Sequence, residues 1–258
     1  MLTKPPLYGD LIERHGLSVI AEGGDLVLTP DGDIAITKSG GALFGSVAHN
    51  AMFRLTEAWR LNSPSLRLMY EAVRELRGQH TALEDEVEMA ATVFGFSGPE
   101  PFSAEVSAFH TANDAFGAAL LGRGALAGSL MVVTSSLLSR FKSDVEPTAA
   151  EWKDTGPFEN GVSVGRLIIA AANGFRHHDE WIETRVAGAF TANQRRSIDP
   201  LVQALNLVGP DDLFDDVNAC ERVIVLLGDQ GFEQFEGAVL KYANAVAALV
   251  EARSPPPL

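Results

Sequence analysis

Ala48-His49-Asn50-Ala51-Met52-Phe53-Arg54-Leu55-Thr56-Glu57-Ala58-Trp59 is the stretch that decides the fold class, because Ala48, Met52, Leu55 and Trp59 recur at spacings of four, three and four. Such spacing gathers the four side chains on one helix face, where burial is the simplest use for them. The same pattern returns in Leu83, Val87, Ala90 and Phe94, in Leu126, Leu130, Val133 and Leu137, and in Phe235, Val239, Tyr242, Val246 and Leu249. From Ser46 onward the helical period is not abandoned. Turn chemistry divides the run at Asn62-Ser63-Pro64, Gly95 to Pro101, Gly122-Arg123-Gly124, Glu146-Pro147, Thr155-Gly156-Pro157, Gly209-Pro210 and Gly228 to Gly231, since glycine and proline interrupt helices. These divisions predict roughly eight or nine helices of ordinary length.

Upstream of the helical region the period is two. Leu26-Val27-Leu28, a turn over Thr29-Pro30-Asp31-Gly32-Asp33, and Ile34-Ala35-Ile36 read as a β-hairpin. Leu17-Ser18-Val19-Ile20 is expected to add a third short strand. No internal repeat is read. The fold class is therefore mainly α: a helical bundle over residues 46–253 with a small N-terminal β-hairpin element over residues 1–45. The tail over residues 254–258, Ser254-Pro255-Pro256-Pro257-Leu258, cannot extend a helix and is expected to be disordered.

The 258 residues carry a formal charge of -14. Non-specific affinity for nucleic acid comes mainly from Lys and Arg neutralising phosphates, so a broad nucleic-acid surface is excluded and RNA is admitted only at a local basic site. The single cysteine, Cys220, excludes an internal disulfide and a multi-cysteine zinc site. No stretch is read as reaching the roughly 18 uncharged apolar residues of a spanning helix, and Met1 to Pro6 lacks a signal-peptide core. The expectation is a soluble, cytoplasmic chain with no membrane association, a protein partner, and homo-oligomerisation left open. There is no Walker-type phosphate loop, Gly-x-Ser-x-Gly elbow or His-Glu-x-x-His helix, which removes the commonest enzyme signatures. Gly122-Arg123-Gly124 is read as a helix break, and the acidic run Glu84-Asp85-Glu86 as a solvated helix start capped by Thr81.

Chemistry concentrates in Asn173-Gly174-Phe175-Arg176-His177-His178-Asp179-Glu180-Trp181. If one helix continues through it, Arg166, Asn173, His177 and Glu180 form a polar stripe with Arg176 on its edge. Metal binding would draw two ligands from His177 and Glu180, but His15, His49, His80 and His110 show no spacing that demands a third, so neither metal nor cofactor is assigned. Metal-free RNA cleavage would use His177 to take a proton from a ribose 2′-hydroxyl and Arg176 to stabilise the charged phosphorane, with Asn173 and Glu180 in support. Against both stands a structural account: basic groups near a helix C-terminus, an Arg176 to Glu180 pair, and Phe175 and Trp181 packed inward. Arg74 and His80 form a second, looser basic pair. Asn113 interrupts an apolar stripe of Val106, Phe109, Phe116 and Leu120, and is expected to be a buried amide or to face a pocket.

An all-helical body with an Asn-x-x-Arg-His cluster near the end of a long helix resembles the HEPN superfamily, over residues 103–253 by helix pattern and over Asn173 to Trp181 by motif. That family includes RNases of toxin-antitoxin, CRISPR and abortive-infection systems, so the resemblance implies a defence or toxin-antitoxin protein that cleaves RNA without a metal. Asn173 and His177 match the family's polar and histidine positions, but Ala172 stands where the family has arginine. That departure implies a degenerate, non-cleaving relative unless Arg176 or Arg166 substitutes. The alternative is a non-catalytic acidic interaction protein, such as an antitoxin, inhibitor or assembly subunit, that recognises a basic protein through its charge and an exposed hairpin edge.

Overall fold

Helix-forming periodicity is realised along most of the chain. The computed structural model describes residues 4–29, 31–37, 40–97, 104–214 and 218–253; the expected disordered tail lies outside them. The fold is mainly α. In chain order the helices are α1 (Tyr8–His15), α2 (Val47–Gly78), α3 (His80–Ser97), α4 (Ala104–Val145), α5 (Ala149–Lys153), α6 (Val164–Arg176), α7 (His178–Val186), α8 (Ala192–Ala204), α9 (Ala219–Gly228) and α10 (Phe232–Arg253). A two-stranded antiparallel sheet, β1 (Phe158–Glu159) with β2 (Val162–Ser163), precedes α6. Helix α2 packs on α4 and α10, while α6 packs on α4, α8 and α9. Their buried faces include Met52, Trp59, Leu130, Leu167, Ile168 and Val239.

Two expected breaks are absent. Pro64 lies inside α2, where its missing N–H costs about 3 kcal/mol. The turns on either side bury Leu55, Trp59, Leu66, Tyr70 and Val73, at about 1.5–3 kcal/mol per aliphatic or aromatic side chain, which outweighs that loss. Gly122-Arg123-Gly124 likewise sits inside the continuous α4. Each glycine costs about 1 kcal/mol, and burial of Ala127, Leu130, Met131 and Leu138 on the following turns holds the helix. By length and composition α4 is also apolar enough to cross a membrane, with 28% of its most apolar window buried, a run the sequence reading passed over. Asn113, expected to be buried or to face a pocket, is exposed on this helix.

The N-terminal β element differs from a hairpin. Leu17 to Ile20 makes a 3-10 turn with buried Val19 and Ile20 instead of a strand, and the Val19 N–H donates to Asn244 Oδ1 on α10 at 3.1 Å. The third extended segment is Ala42-Leu43-Phe44. Antiparallel bridges join Leu28 to Ile34, Ile36 to Ala42, and Leu26 to Phe44, so three segments close on one another. The Val27 N–H donates to the Leu43 carbonyl at 3.0 Å, Leu43 to Ala35 at 2.8 Å, and Ala35 to Val27 at 2.9 Å. A second ring runs from Thr29 to Asp33, Thr37 to Gly41 and Gly45 back to Asp25, at 2.7, 2.7 and 2.8 Å. Positions 27, 35 and 43 are thus equivalent, and the sequence carries the repeat that was not read: Asp25-Leu26-Val27-Leu28-Thr29, Asp33-Ile34-Ala35-Ile36-Thr37, Gly41-Ala42-Leu43-Phe44-Gly45. The turns repeat too, Gly32 at φ 83° and Gly40 at φ 80°, a region that glycine enters without penalty. This three-sided unit, a small β-prism, spends the central N–H and C=O groups internally and has no open edge at those residues.

A buried carboxylate ties the N-terminal region to the helices. Glu236 on α10 has no solvent exposure; it accepts from Trp59 Nε1 at 2.8 Å, Ser63 Oγ at 3.3 Å and Arg14 Nη1 at 3.2 Å, and His15 Nε2 lies 2.9 Å from its Oε1. Burial pushes its carboxyl up, but hydrogen bonds from His15 and Trp59 with the nearby His15 and Arg14 charges outweigh that and hold it below the ordinary carboxylate value.

Candidate functional site

The helix expected to run through Asn173 to Trp181 ends at Arg176 and restarts at His178, with His177 at φ -116° and ψ 22° serving as the last cap of one and the first of the next. The polar stripe is therefore not a single helix face. The bend follows from packing: Trp181 is buried, and its ring lies so close to Gly174 that a Cβ there would meet it at 3.1 Å. Turning α7 back over Gly174 seats the indole, and the hydrogen-bond ladder survives only in part, through His177 N–H to Asn173 O and Trp181 N–H to His177 O, both 3.0 Å.

The predicted residues then face different surroundings. Asn173 Nδ2 donates to Ser197 Oγ on α8 at 3.2 Å, which makes it a tie between helices. Arg176 is exposed. His177 Nδ1 contacts Glu180 Oε1 at 3.1 Å, and the two side chains are 48% and 69% exposed. His178, not His177, turns to a cavity of about 520 Å³, together with Phe175, Trp181, Phe214, Cys220 and Asn218. Its ring lies 6.1 Å from that of Phe214, and burial pushes the Cys220 thiol in that wall up to about 12, so it is no nucleophile at neutral pH. Histidine and carboxylate meet at His177 and Glu180, but the amide and guanidinium do not join them. Among the described residues no group of three His, Cys, Asp or Glu side chains is placed to hold a metal.

A second set of charges was missed as a set. Arg123 on α4 and Glu221 on α9 are buried against each other, Nε to Oε2 at 2.6 Å with side-chain exposures of 4% and 2%. The contact is close but poorly aligned, and Arg123 Nη2 has no hydrogen-bond partner. Arg77 Nε approaches the same carboxylate at 3.9 Å. Burial pushes the Glu221 carboxyl up, and the surrounding Arg123, Arg77, His80 and Arg222 charges only partly counter it. These cations line a cavity of about 400 Å³ with Leu205 and Val225. The signals were an arginine in the apolar stretch of α4, read as a turn, and the Arg74 to His80 pair. His80 stands on this cavity, beside Glu84 at 3.8 Å, while Arg74 lines a neighbouring hollow that shares Arg77.

A third feature is the prism surface. Leu26, Leu28, Ile34, Ile36 and Phe44 are 49%, 60%, 47%, 70% and 41% exposed, and Glu22, Asp25, Asp31 and Asp33 in the same segment are exposed as well. Comparison of the chain with protein-family models, curated proteins and solved structures finds no match.

Proposed function

We propose that this chain is a non-cleaving helical bundle of HEPN-like type, acting in a defence or toxin-antitoxin setting by docking a protein partner through its N-terminal prism. One observation carries the reading. Five large apolar side chains point out of a unit whose central backbone groups are bonded internally, so partner recognition there relies on side chains and not on strand addition. Apolar groups displayed together on a soluble surface mark interaction sites. The acidic residues interleaved with them, and the net charge of -14, define the partner's chemistry: an apolar cleft rimmed by lysine and arginine.

Salt-dependent co-purification from the native host tests this. The partner should be retained by wild type and by His177→Ala, and lost by Ile36→Asp with Leu28→Asp and by Asp31→Lys with Asp33→Lys. Retention by both prism variants would refute the docking site. The second reading, a metal-independent RNase, is favoured by the His177 contact with Glu180, since a carboxylate can orient an imidazole for proton transfer. RNA cleavage by purified wild type that disappears in His177→Ala and Arg176→Ala would establish that reading and displace the first.

A further inference from the structure

We propose that the arm formed by α3 and the first half of α4 is a docking surface separate from the prism, and that its occupant is a basic amphipathic helix of another protein, anchored by a large apolar side chain. The arm has no core of its own. Among the residues of α3, and of α4 up to Gly122, whose exposure is described, none is buried, and the buried residues of α4 begin at Arg123. Packing of α3 on α4 holds the arm together, with the His80 ring 5.3 Å from that of Phe116. Leu83, Val87, Phe116 and Leu120 remain only half-buried, and Met89 and Leu121 are 66% and 75% exposed. Two helices that pack chiefly on each other leave apolar surface in water, and a third helix laid against them covers it.

Asp114, Ala118, Leu121 and Ala125 recur at spacings of four, three and four and are all exposed, so they lie along one face of α4. Leu121 and Ala125 also belong to the wall of the cavity of about 520 Å³, with Phe175, Trp181, Leu213 and Phe214. An exposed stripe thus runs into an apolar hollow. A groove receives a helix in this form, through anchors three or four residues apart with the largest seated in a pocket. Charge fixes the rest of the partner's chemistry. From His80 to Gly122 the sequence has seven acidic residues and neither lysine nor arginine, which is half of the formal charge of -14. Arg185, 5.3 Å over the Phe214 ring in the cavity wall, is already paired with Asp211 at 2.8 Å. A second copy of the chain would set acid against acid, and an anionic lipid surface would do the same, whereas lysine and arginine flanking the anchors are attracted.

Fluorescence anisotropy of the full chain with a labelled peptide of leucine and lysine around one tryptophan, patterned as an amphipathic helix, reads the surface at physiological salt. Two controls separate an ordered apolar face from charge alone: the same residues scrambled, and the same pattern with glutamate in place of lysine. The patterned basic peptide should bind, and each control should bind at least about tenfold more weakly, since losing an anchor or a complementary charge removes a hot spot. Asp114→Lys with Leu121→Lys, both exposed positions whose replacement leaves the core intact, should weaken binding about tenfold or more. Leu28→Asp with Ile36→Asp on the prism should bind as wild type does, so this result stands or falls apart from the prism reading. Absence of binding at high micromolar peptide, equal binding of patterned and scrambled peptides, or equal affinity in wild type and the Asp114, Leu121 variant overturns the proposal. Loss in the prism variant with retention in the arm variant overturns it too and moves basic-helix binding to the prism. Flotation with phosphatidylserine vesicles, or a dimer in sedimentation, that only the arm variant abolishes would overturn the protein partner in favour of a lipid surface or a second copy.

Discussion

Replacing Glu236 with alanine tests the network that fastens α1 and α2 to α10, and its effect can be worked from the contacts. The carboxylate has no exposure and is approached by four donor groups, from Arg14, His15, Trp59 and Ser63. Removing it leaves the Trp59 indole N–H and the Ser63 hydroxyl buried without their acceptor and the buried His15 ring without its carboxylate, while Arg14, 40% exposed, can turn to solvent. Breaking a buried ionic contact by deleting one partner costs about 3–5 kcal/mol, and for a chain of this size each kcal/mol lowers the unfolding temperature by about 2–4 °C. Glu236→Ala should therefore lower it by roughly 6–20 °C. Glu236→Gln separates hydrogen bonding from charge. Its amide oxygen can still accept from Trp59, which is donor-only, and its NH2 then meets His15, whose ring can accept when neutral, while Arg14 loses its partner. That variant should cost about 1–2 kcal/mol. Urea and thermal denaturation followed by circular dichroism measure both. A Glu236→Ala protein within about 1 kcal/mol of wild type, or a Glu236→Gln protein as unstable as the alanine variant, would refute the reasoning.

Acidification should act through the same group: its folded-state pKa is depressed, so its contribution is complete above the ordinary value of 4.5 and is lost as pH falls through the folded value. The stability advantage of wild type over Glu236→Gln, measured by urea unfolding across pH 3–6, should accordingly shrink toward the acid end. A Cβ at Gly128 on α4 would overlap the Phe175 ring of α6, so Gly128→Ala should destabilise by about 1–3 kcal/mol, whereas Gly117→Ala on the same helix, with open space around it, should stabilise by about 0.5–1 kcal/mol; thermal melts distinguish them. Gly32→Ala and Gly40→Ala should each cost about 1–2 kcal/mol, the penalty of a left-handed conformation, and should cost the same, because the two turns are equivalent; amide hydrogen exchange at Val27, Ala35 and Leu43 would reveal the loosening of the ring.

How much was legible in the chain depends on the range of the interaction involved. Periodic burial is a local property, and the stripes through Trp59, Leu130 and Val239 announced helices that the structure contains. The three-segment prism was also written locally, in the recurrence of Leu-Val-Leu-Thr as Ile-Ala-Ile-Thr at the same offset from a turn glycine, and went unread because a hairpin accounted for two of its three sides. Continuity of α2 through Pro64 and of α4 through Gly122 and Gly124 was settled elsewhere, since a local penalty of a few kcal/mol is outweighed by burial against helices distant in sequence.

The site followed the same rule. Asn173, Arg176, His177 and Glu180 stand close in sequence, yet the helix bends at His177 where Trp181 fits over Gly174, so that His177 keeps Glu180 as its partner while Asn173 is tied to Ser197 on α8. Arg77, Arg123 and Glu221 lie on three helices and share one cavity. Local periodicity and turn chemistry were enough to specify a mainly helical chain with a β element at its N-terminus. Which charged groups meet was decided by tertiary packing, because only the docking of whole helices determines the burial and the partners on which their electrostatics depend.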